Sequence, residues 1–304
     1  VTEGGLSFLD NGQGQPLEEK VDYCYAVVTQ GAYGNAALDE PFENVSQITC
    51  AQLGDSIPPC KLDPPLRSTL DYESCEDYFA KFACQNDVFR NIIKWNPPAD
   101  AACRADVFGY KIFYTSNSGG RFIELQKAGI VRDTFYIDAN LRSYAGCYKI
   151  AAVDRSGNMG ELSEPLCIDN CYYYELPNVF TPNSDGCNDV FSAYSNRIII
   201  ESKNSVCQDP TEEIKKTKCA RFVRAVNFKV YNRWGKEVYI YNYSGREGVI
   251  NDGENQIYID WNGKDKQGDE LATGVYYYVA DVTFDTVDPN NTVKTYKGWV
   301  HLRR

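Results

Sequence analysis

Twelve cysteines set against a single histidine constrain this chain more than any other feature. Cys-x-x-Cys pairs are absent and one imidazole cannot complete a mixed zinc site, so the cysteines point to disulfides formed in an oxidising compartment. Spacing alone does not fix their connectivity, but an internal repeat narrows it. Residues 20 to 50 hold Val21-Asp22-Tyr23-Cys24-Tyr25-Ala26-Val27-Val28, a glycine-rich turn through Gly31 and Gly34, and a second run ending at Cys50. Residues 146 to 167 repeat the arrangement as Gly146-Cys147-Tyr148-Lys149-Ile150-Ala151-Ala152-Val153, a turn at Ser156-Gly157-Asn158, and Glu164-Pro165-Leu166-Cys167. Two copies of one hairpin imply two copies of one domain, the second complete and the first only its end.

The 304 residues leave room for two domains and part of a third. Tyrosine, at 23, outnumbers phenylalanine and tryptophan together, at 14 and 4, and with period-2 runs this favours β-sandwiches. No stretch approaches the roughly 18 apolar residues of a membrane span. The opening Val1-Thr2-Glu3-Gly4-Gly5 has no basic-then-apolar signal pattern, so the segment is expected to start inside a larger or already processed protein. The net charge of -11 is unevenly spread: residues 1 to 171 carry 14 basic and 24 acidic side chains, residues 172 to 304 carry 17 and 18. An acidic half argues against nucleic acid, whose phosphates need a basic footprint, and suits a solvated exterior surface.

From Pro58 the complete copy reads strand by strand. Pro64-Pro65-Leu66 opens it, Asn91-Ile92-Ile93-Lys94-Trp95-Asn96-Pro97-Pro98 is a strand closed by prolines, and Gly109-Tyr110-Lys111-Ile112-Phe113-Tyr114-Thr115 alternates. Short strands near Phe122 and Phe135 follow. The tryptophan before a proline turn, the Gly-Tyr-x-Ile-x-Tyr strand and the closing hairpin resemble a fibronectin type III domain. That resemblance makes the last two strands neighbours, stapled by Cys24 with Cys50 in one copy and Cys147 with Cys167 in the other. It also sets Cys60, at the start of the first strand, near Cys103 in the loop after Trp95, and leaves Cys75 and Cys84 flanking one insertion. Cys171, Cys187, Cys207 and Cys219 remain, of which Cys207 and Cys219 pair most easily because they are close in sequence.

The last 130 or so residues carry five signposts in order. These are Leu176-Pro177-Asn178-Val179-Phe180-Thr181-Pro182-Asn183-Ser184-Asp185-Gly186, the strand Phe228-Lys229-Val230-Tyr231-Asn232-Arg233-Trp234-Gly235, the hairpin signal Asp260-Trp261-Asn262-Gly263, the strand Thr273-Gly274-Val275-Tyr276-Tyr277-Tyr278-Val279-Ala280, and the final Lys297-Gly298-Trp299-Val300-His301-Leu302-Arg303-Arg304. Together they resemble the gliding motility-associated C-terminal domain, the type B sorting domain of Bacteroidota type IX secretion. Ser184 stands where the family usually has glycine, Cys187 replaces a small or apolar residue, and residues 195 to 220 form a longer stretch than usual. The resemblance implies an address and an anchor rather than a reaction. The implied partners are the type IX translocon with its outer-membrane shuttle barrel, or a small outer-membrane partner protein.

Several residues invite a sharper interpretation. Thr181 to Asp189 is rich in Asn and Asp oxygens before Gly186, as in calcium loops, but Ser192 stands where the bidentate glutamate belongs, and side-chain bonds to the turn backbone explain Asn183, Asp185 and Asn188 equally well. Arg233 is open to a sugar or receptor contact as well as to packing on an aromatic face, while Trp234 is expected at a strand end. Tyr276 and Tyr278 share one strand face and Tyr277 the other, so the run makes no three-ring platform. Tyr172-Tyr173-Tyr174 is expected as a short linker strand for the same reason. Lys297 to Leu302 alternates as a final strand, and with the resemblance this makes Lys297, Trp299, His301, Leu302, Arg303 and Arg304, with Arg233, the surface read by the secretion machinery. Ser56 and Thr286 stand in the Asp-Ser/Thr-apolar pattern of Bacteroidota O-glycosylation.

With His301 the only imidazole, a Ser-His-Asp or Cys-His set would have to be built on a strand two residues from the C-terminal arginines, and Gly54-Asp55-Ser56-Ile57, which brushes against a hydrolase motif, lies in a linker. No catalytic, cofactor or metal residue is assigned. The expected fold class is all-β: tandem β-sandwiches, with residues 1–57 the end of a fibronectin III-like domain, 58–171 a complete one, and 172–304 an Ig-like C-terminal sorting domain. The expected function is that of the non-catalytic C-terminal region of a cell-surface adhesin or gliding-motility protein, placed on the outer-membrane exterior after export through the periplasm. The alternatives are a spacer and sorting tail for an enzyme domain upstream, or a module binding extracellular polysaccharide.

Overall fold

The structure, a computed structural model, describes residues 7–18, 21–37, 41–64, 66–70, 72–81, 88–194, 219–245 and 256–304. It is built from strands that pack as β-sandwiches. The first described segment is one long interrupted hairpin. Strands β1 (Asp22–Tyr25) and β4 (Thr49–Gln52) pair outside β2 (Val28–Gly31) and β3 (Phe42–Val45), with Cys24 directly opposite Cys50 and disulfide-bonded to it. Both faces of this hairpin are largely solvent-exposed: Val27, Val28, Val45 and Ile48 are more than half exposed, and Phe42 packs against the Tyr33 ring, 4.6 Å away. A two-stranded ribbon of this kind is marginal without a covering layer or a staple, and the disulfide is the staple here.

The following sandwich holds β5 (Arg67–Thr69), β6 (Phe89–Lys94) and β9 (Phe135–Leu141) in one sheet, facing β11 (Leu166–Ile168), β10 (Gly146–Val153), β7 (Gly109–Thr115) and β8 (Ile123–Glu124) in the order β11-β10-β7-β8. This three-against-four arrangement is that of fibronectin type III domains. Alternation of Phe89, Asn91 and Ile93 aims one face of β6 inward, and Trp95, Tyr110, Ile112, Tyr148 and Ile150 fill the space between the sheets. Tyr148 is fully buried, yet its hydroxyl donates to Asp138 and accepts from the Asn91 amide, so its polar end is satisfied. Cys147 lies opposite Cys167 across β10 and β11 and is bridged to it.

Two short helices depart from the all-strand expectation. Helix α2 (Ala101–Asp106), capped by the Asp100 carboxylate accepting from the Cys103 amide, replaces the loop after Trp95 and carries Cys103 to its bridge with Cys60. Helix α1 (Cys75–Lys81) overturns the expected bond between Cys75 and Cys84. Burial of Tyr78 against Tyr72 and Tyr144 seats the helix on the core, which brings Cys75 to 5.2 Å (Cα to Cα) from Cys171 at the end of the sandwich, and those two are disulfide-bonded. Cys84 and Cys207 lie outside the described residues; Cys187 and Cys219 are both disulfide-bonded.

The C-terminal sandwich has a five-stranded sheet in the order β12-β16-β15-β13-β14, with β12 (Val179–Phe180), β13 (Val223–Tyr231), β14 (Glu237–Ser244), β15 (Gly274–Phe284) and β16 (Val293–Leu302). All neighbours are antiparallel except β12, which runs parallel to the end of β16. Its inner face buries Phe180, Phe228, Ala280, Val282, Phe284, Val300 and Leu302 against a second layer made of isolated bridges, among them Tyr173 with Arg221 and Phe191 with Trp261. The Asn262-Gly263 signal does not form the expected hairpin. Gly263 has φ +77°, and a Cβ there would meet Leu302 Cδ1 at 2.8 Å, so the glycine serves a close approach to the last strand. The local turn falls later, where Lys264 bridges Glu270.

The two sandwiches share a sealed junction. Phe222, just before β13, has a φ of +56°, sparsely populated for a bulky residue, and places its ring in the neighbouring core 5.3 Å from Phe89. Buried Asp285 accepts hydrogen bonds from Ser143, Asn170 and Arg224, and its amide donates to the Phe222 carbonyl. Asn170 also donates to the Asp285 carbonyl at 2.8 Å and accepts from the Tyr144 amide. Arg221 lies over the rings of Tyr78 and Phe79.

Two outcomes follow. Phe222→Ala, by emptying a filled site between cores, should cost about 3–5 kcal/mol and lower one shared calorimetric transition for residues 58–304; two separate transitions would show that the sandwiches melt independently. Replacing Cys75 and Cys171 by Ser should reduce stability in urea by about 2–4 kcal/mol.

Candidate functional site

β-Pleating sends alternate residues of the five-stranded sheet outward, and the register aligns them in rows across the strands. Trp299 on β16 is opposite Tyr277 on β15, which is opposite Tyr231 on β13. Two residues along, Lys297, Val279, Lys229 and Ile240 form the next row, and beyond them come Thr295, Asp281, Asn227 and Asn242. On the other side of the aromatic row lie Val179, His301 and Val275. Trp299 is 50% and Tyr277 52% exposed. Beyond residue 168, every described large hydrophobic that is exposed lies on this outer face, save Trp234 at the tip of the β13–β14 turn. Soluble surfaces seldom gather apolar groups in this way without a binding role.

The structure distributes the expected recognition residues unevenly. Lys297 and Trp299 are exposed on the outer face, and His301 is half-buried there. Leu302 is a correction: it is fully buried among Phe180, Trp261 and Val300, because its even position in β16 points to the core, and it cannot be read by a partner. Arg304 is held at the sheet margin by Glu270 at 2.9 Å and by the carbonyls of Leu271 and Gly263, while the Arg303 amide donates to the Phe180 carbonyl. Arg233 stands away from these groups at the hairpin tip, its guanidinium 4.7 Å above the Trp234 ring. Asn232 builds that tip by accepting from the Trp234 and Lys236 amides.

Of the two proposed glycosylation positions, Ser56 is exposed and Thr286 is buried, with its hydroxyl donating to the Asp288 carbonyl, so the folded chain does not present Thr286 to an enzyme.

In the Thr181–Asp189 loop the acidic oxygens are used by the backbone. Asp189 accepts from the amides of Ser184 and Gly186, Asp185 from Cys187, and Asn183 from Asp185. One constellation was invisible in sequence: carboxylate oxygens of Asp55, Asp106 and Asp154 lie within 4.8 Å of one another, where the linker passes α2 and the β10 end. Asp154 gives both oxygens to Asn158, whose amide also holds the Asp55 carbonyl, so its role is to fasten the linker. Spacing could not reveal this trio, since about fifty residues separate each member from the next.

Residues 174–302 match the family described as CHU_C, type IX secretion signal domain. No curated protein matches the chain in sequence. Among solved structures, the chicken CNTN1 FN1–FN3 domains align at 10% identity and a TM-score of 0.26, over 93% of this chain and 78% of that one. The chicken interferon gamma receptor alpha chain aligns at 8% identity and 0.24, over 71% and 93%. Dimeric latent PorU from Porphyromonas gingivalis aligns at 12% and 0.22, over 71% and 18%. Scores of this size carry no argument. A type IX secretion signal implies export to the cell surface, and among the described residues no helix is long and apolar enough to cross a membrane.

The loop interpretation has a direct check. Asp189→Ala should cost about 0.5–1.5 kcal/mol, because the two amides it releases are exposed and water replaces the lost acceptor, and millimolar calcium should leave the Tm of the unaltered chain unchanged.

Proposed function

We propose that this chain is the non-catalytic C-terminal region of a cell-surface protein of adhesion or gliding motility, with residues 172–304 acting as export and surface-attachment signal and residues 58–171 as stalk. The match of residues 174–302 to a type IX secretion signal domain carries this reading. In it, residues 1–57 are the last hairpin of a preceding sandwich. Their two exposed faces and their Cys24–Cys50 staple, which repeats Cys147–Cys167, support that assignment. The finished protein stands on the outer-membrane exterior.

The recognition surface comprises Lys297, Trp299 and His301 on the outward side of the last strand, Arg303 and Arg304 just past its end, and Arg233 at the hairpin tip. Its partner is the translocon with its outer-membrane shuttle barrel, or a small outer-membrane protein. Basic groups around an exposed tryptophan suit an acidic rim with an apolar centre. A reporter bearing a signal peptide and residues 58–304 should appear at the surface of a gliding Bacteroidota strain and stay in the periplasm when the translocon is deleted. Deleting the last residues is a poor probe, since Val300 and Leu302 belong to the core. Lys297→Glu with Arg303→Glu and Arg304→Glu leaves the core intact and should reduce display about tenfold; undiminished display would remove these residues from the recognition surface.

A further inference from the structure

We propose that the outer face of the C-terminal sheet binds an anionic polysaccharide along the row Trp299, Tyr277 and Tyr231. Three rings come from three adjacent strands in one register, so the row extends over two strand spacings, roughly 10 Å. A pyranose ring offers a face of C–H bonds to the electron-rich face of an aromatic ring, so a row of rings receives consecutive sugars of one polymer. The within-strand run of three tyrosines cannot do this, because pleating divides it; the cross-strand row can.

The neighbouring rows supply what an acidic sugar needs besides stacking. Lys297 and Lys229 stand two residues along from Trp299 and Tyr231, on the same face and separated by the uncharged Val279. They complement carboxylate, sulfate or phosphate groups along one edge of the polymer. The Asn227 side chain, in the row beyond, is exposed and adds an amide for hydroxyls. These three rows hold two carboxylates: Asp281 accepts from the Thr295 hydroxyl at 2.6 Å, and Glu237, opposite Tyr231, is paired with Lys266. Rings and cations also receive single-stranded nucleic acid, but a polymer charged at every unit would find only the two lysines of these rows to neutralise it.

This goes beyond the sorting function and is separable from it, since Tyr277, Tyr231 and Lys229 have no part in the proposed export surface. The purified full chain is run in native gels containing polygalacturonate, dextran sulfate or neutral dextran. The expected result is retardation by at least one anionic polymer and none by dextran, weakened by salt. Tyr277→Ser with Tyr231→Ser should weaken binding about tenfold or more, Tyr277→Phe should retain it, and Lys229→Ala with Lys297→Ala should reduce it while leaving the Tm unchanged. No retardation by either anionic polymer overturns the proposal. So does retardation that depends on the lysines alone, which would mark a general anion surface. Loss of reporter export without loss of glycan binding in the tyrosine variant would assign the face to a protein of the secretion machinery.

Discussion

A single buried carboxylate, that of Asp285, holds two domains in one arrangement. It receives a serine from the β9–β10 connection, an asparagine from the end of the stalk sandwich and an arginine from the start of β13. Removing a charge from water is tolerated only where donors replace the lost hydration, and here they come from both sides of the boundary. The residues around it are consequently constrained: Phe222 adopts an unfavourable backbone angle because its ring is needed in the neighbouring core, and Tyr173 must bridge Arg221 to carry the chain across. The family match begins at residue 174, yet the contacts of that unit reach back into the preceding sandwich.

Register determines the rest of the C-terminal sandwich. The alternation that buries Val300 and Leu302 also turns Trp299 and His301 outward, and a slip of one residue would exchange the two sets. Core and surface are thus one decision, made by the antiparallel pairing of β15 with β16. The same pairing produces the aromatic row, which no single strand contains.

Local signals in the sequence were accurate where the physics is local. The strand at Phe228–Tyr231 follows from side-chain alternation between turns, the Thr181–Asp189 oxygens act on their own backbone, and the cross-strand cysteine pairs are those that the fibronectin-like resemblance implies. Long-range placement was less visible. Cys75 meets Cys171 because an aromatic cluster seats α1 on the core, and nothing in the spacing announces this. Leu302 reads as a terminal residue in sequence and is a core residue in space. The Asn262-Gly263 pair signals a hairpin, but its glycine answers to contact with a strand forty residues later. The acidic trio and the shared Asp285 network likewise join residues that only the tertiary fold brings together.

The Cys75–Cys171 bridge has a mechanical consequence. Tension applied along the chain from the side of residues 1–74 reaches Cys75, crosses the sulfur–sulfur bond to Cys171 and continues into the C-terminal sandwich. The sequence between them, spanning a separation of 96, carries none of that load. Without the bridge, and with Cys60–Cys103 and Cys147–Cys167 still closed, forced opening of this sandwich would release roughly 150 Å of slack at full extension. With it, this sandwich passes on a pull without lengthening between Cys75 and Cys171, and the load arrives at the Asp285 junction undamped.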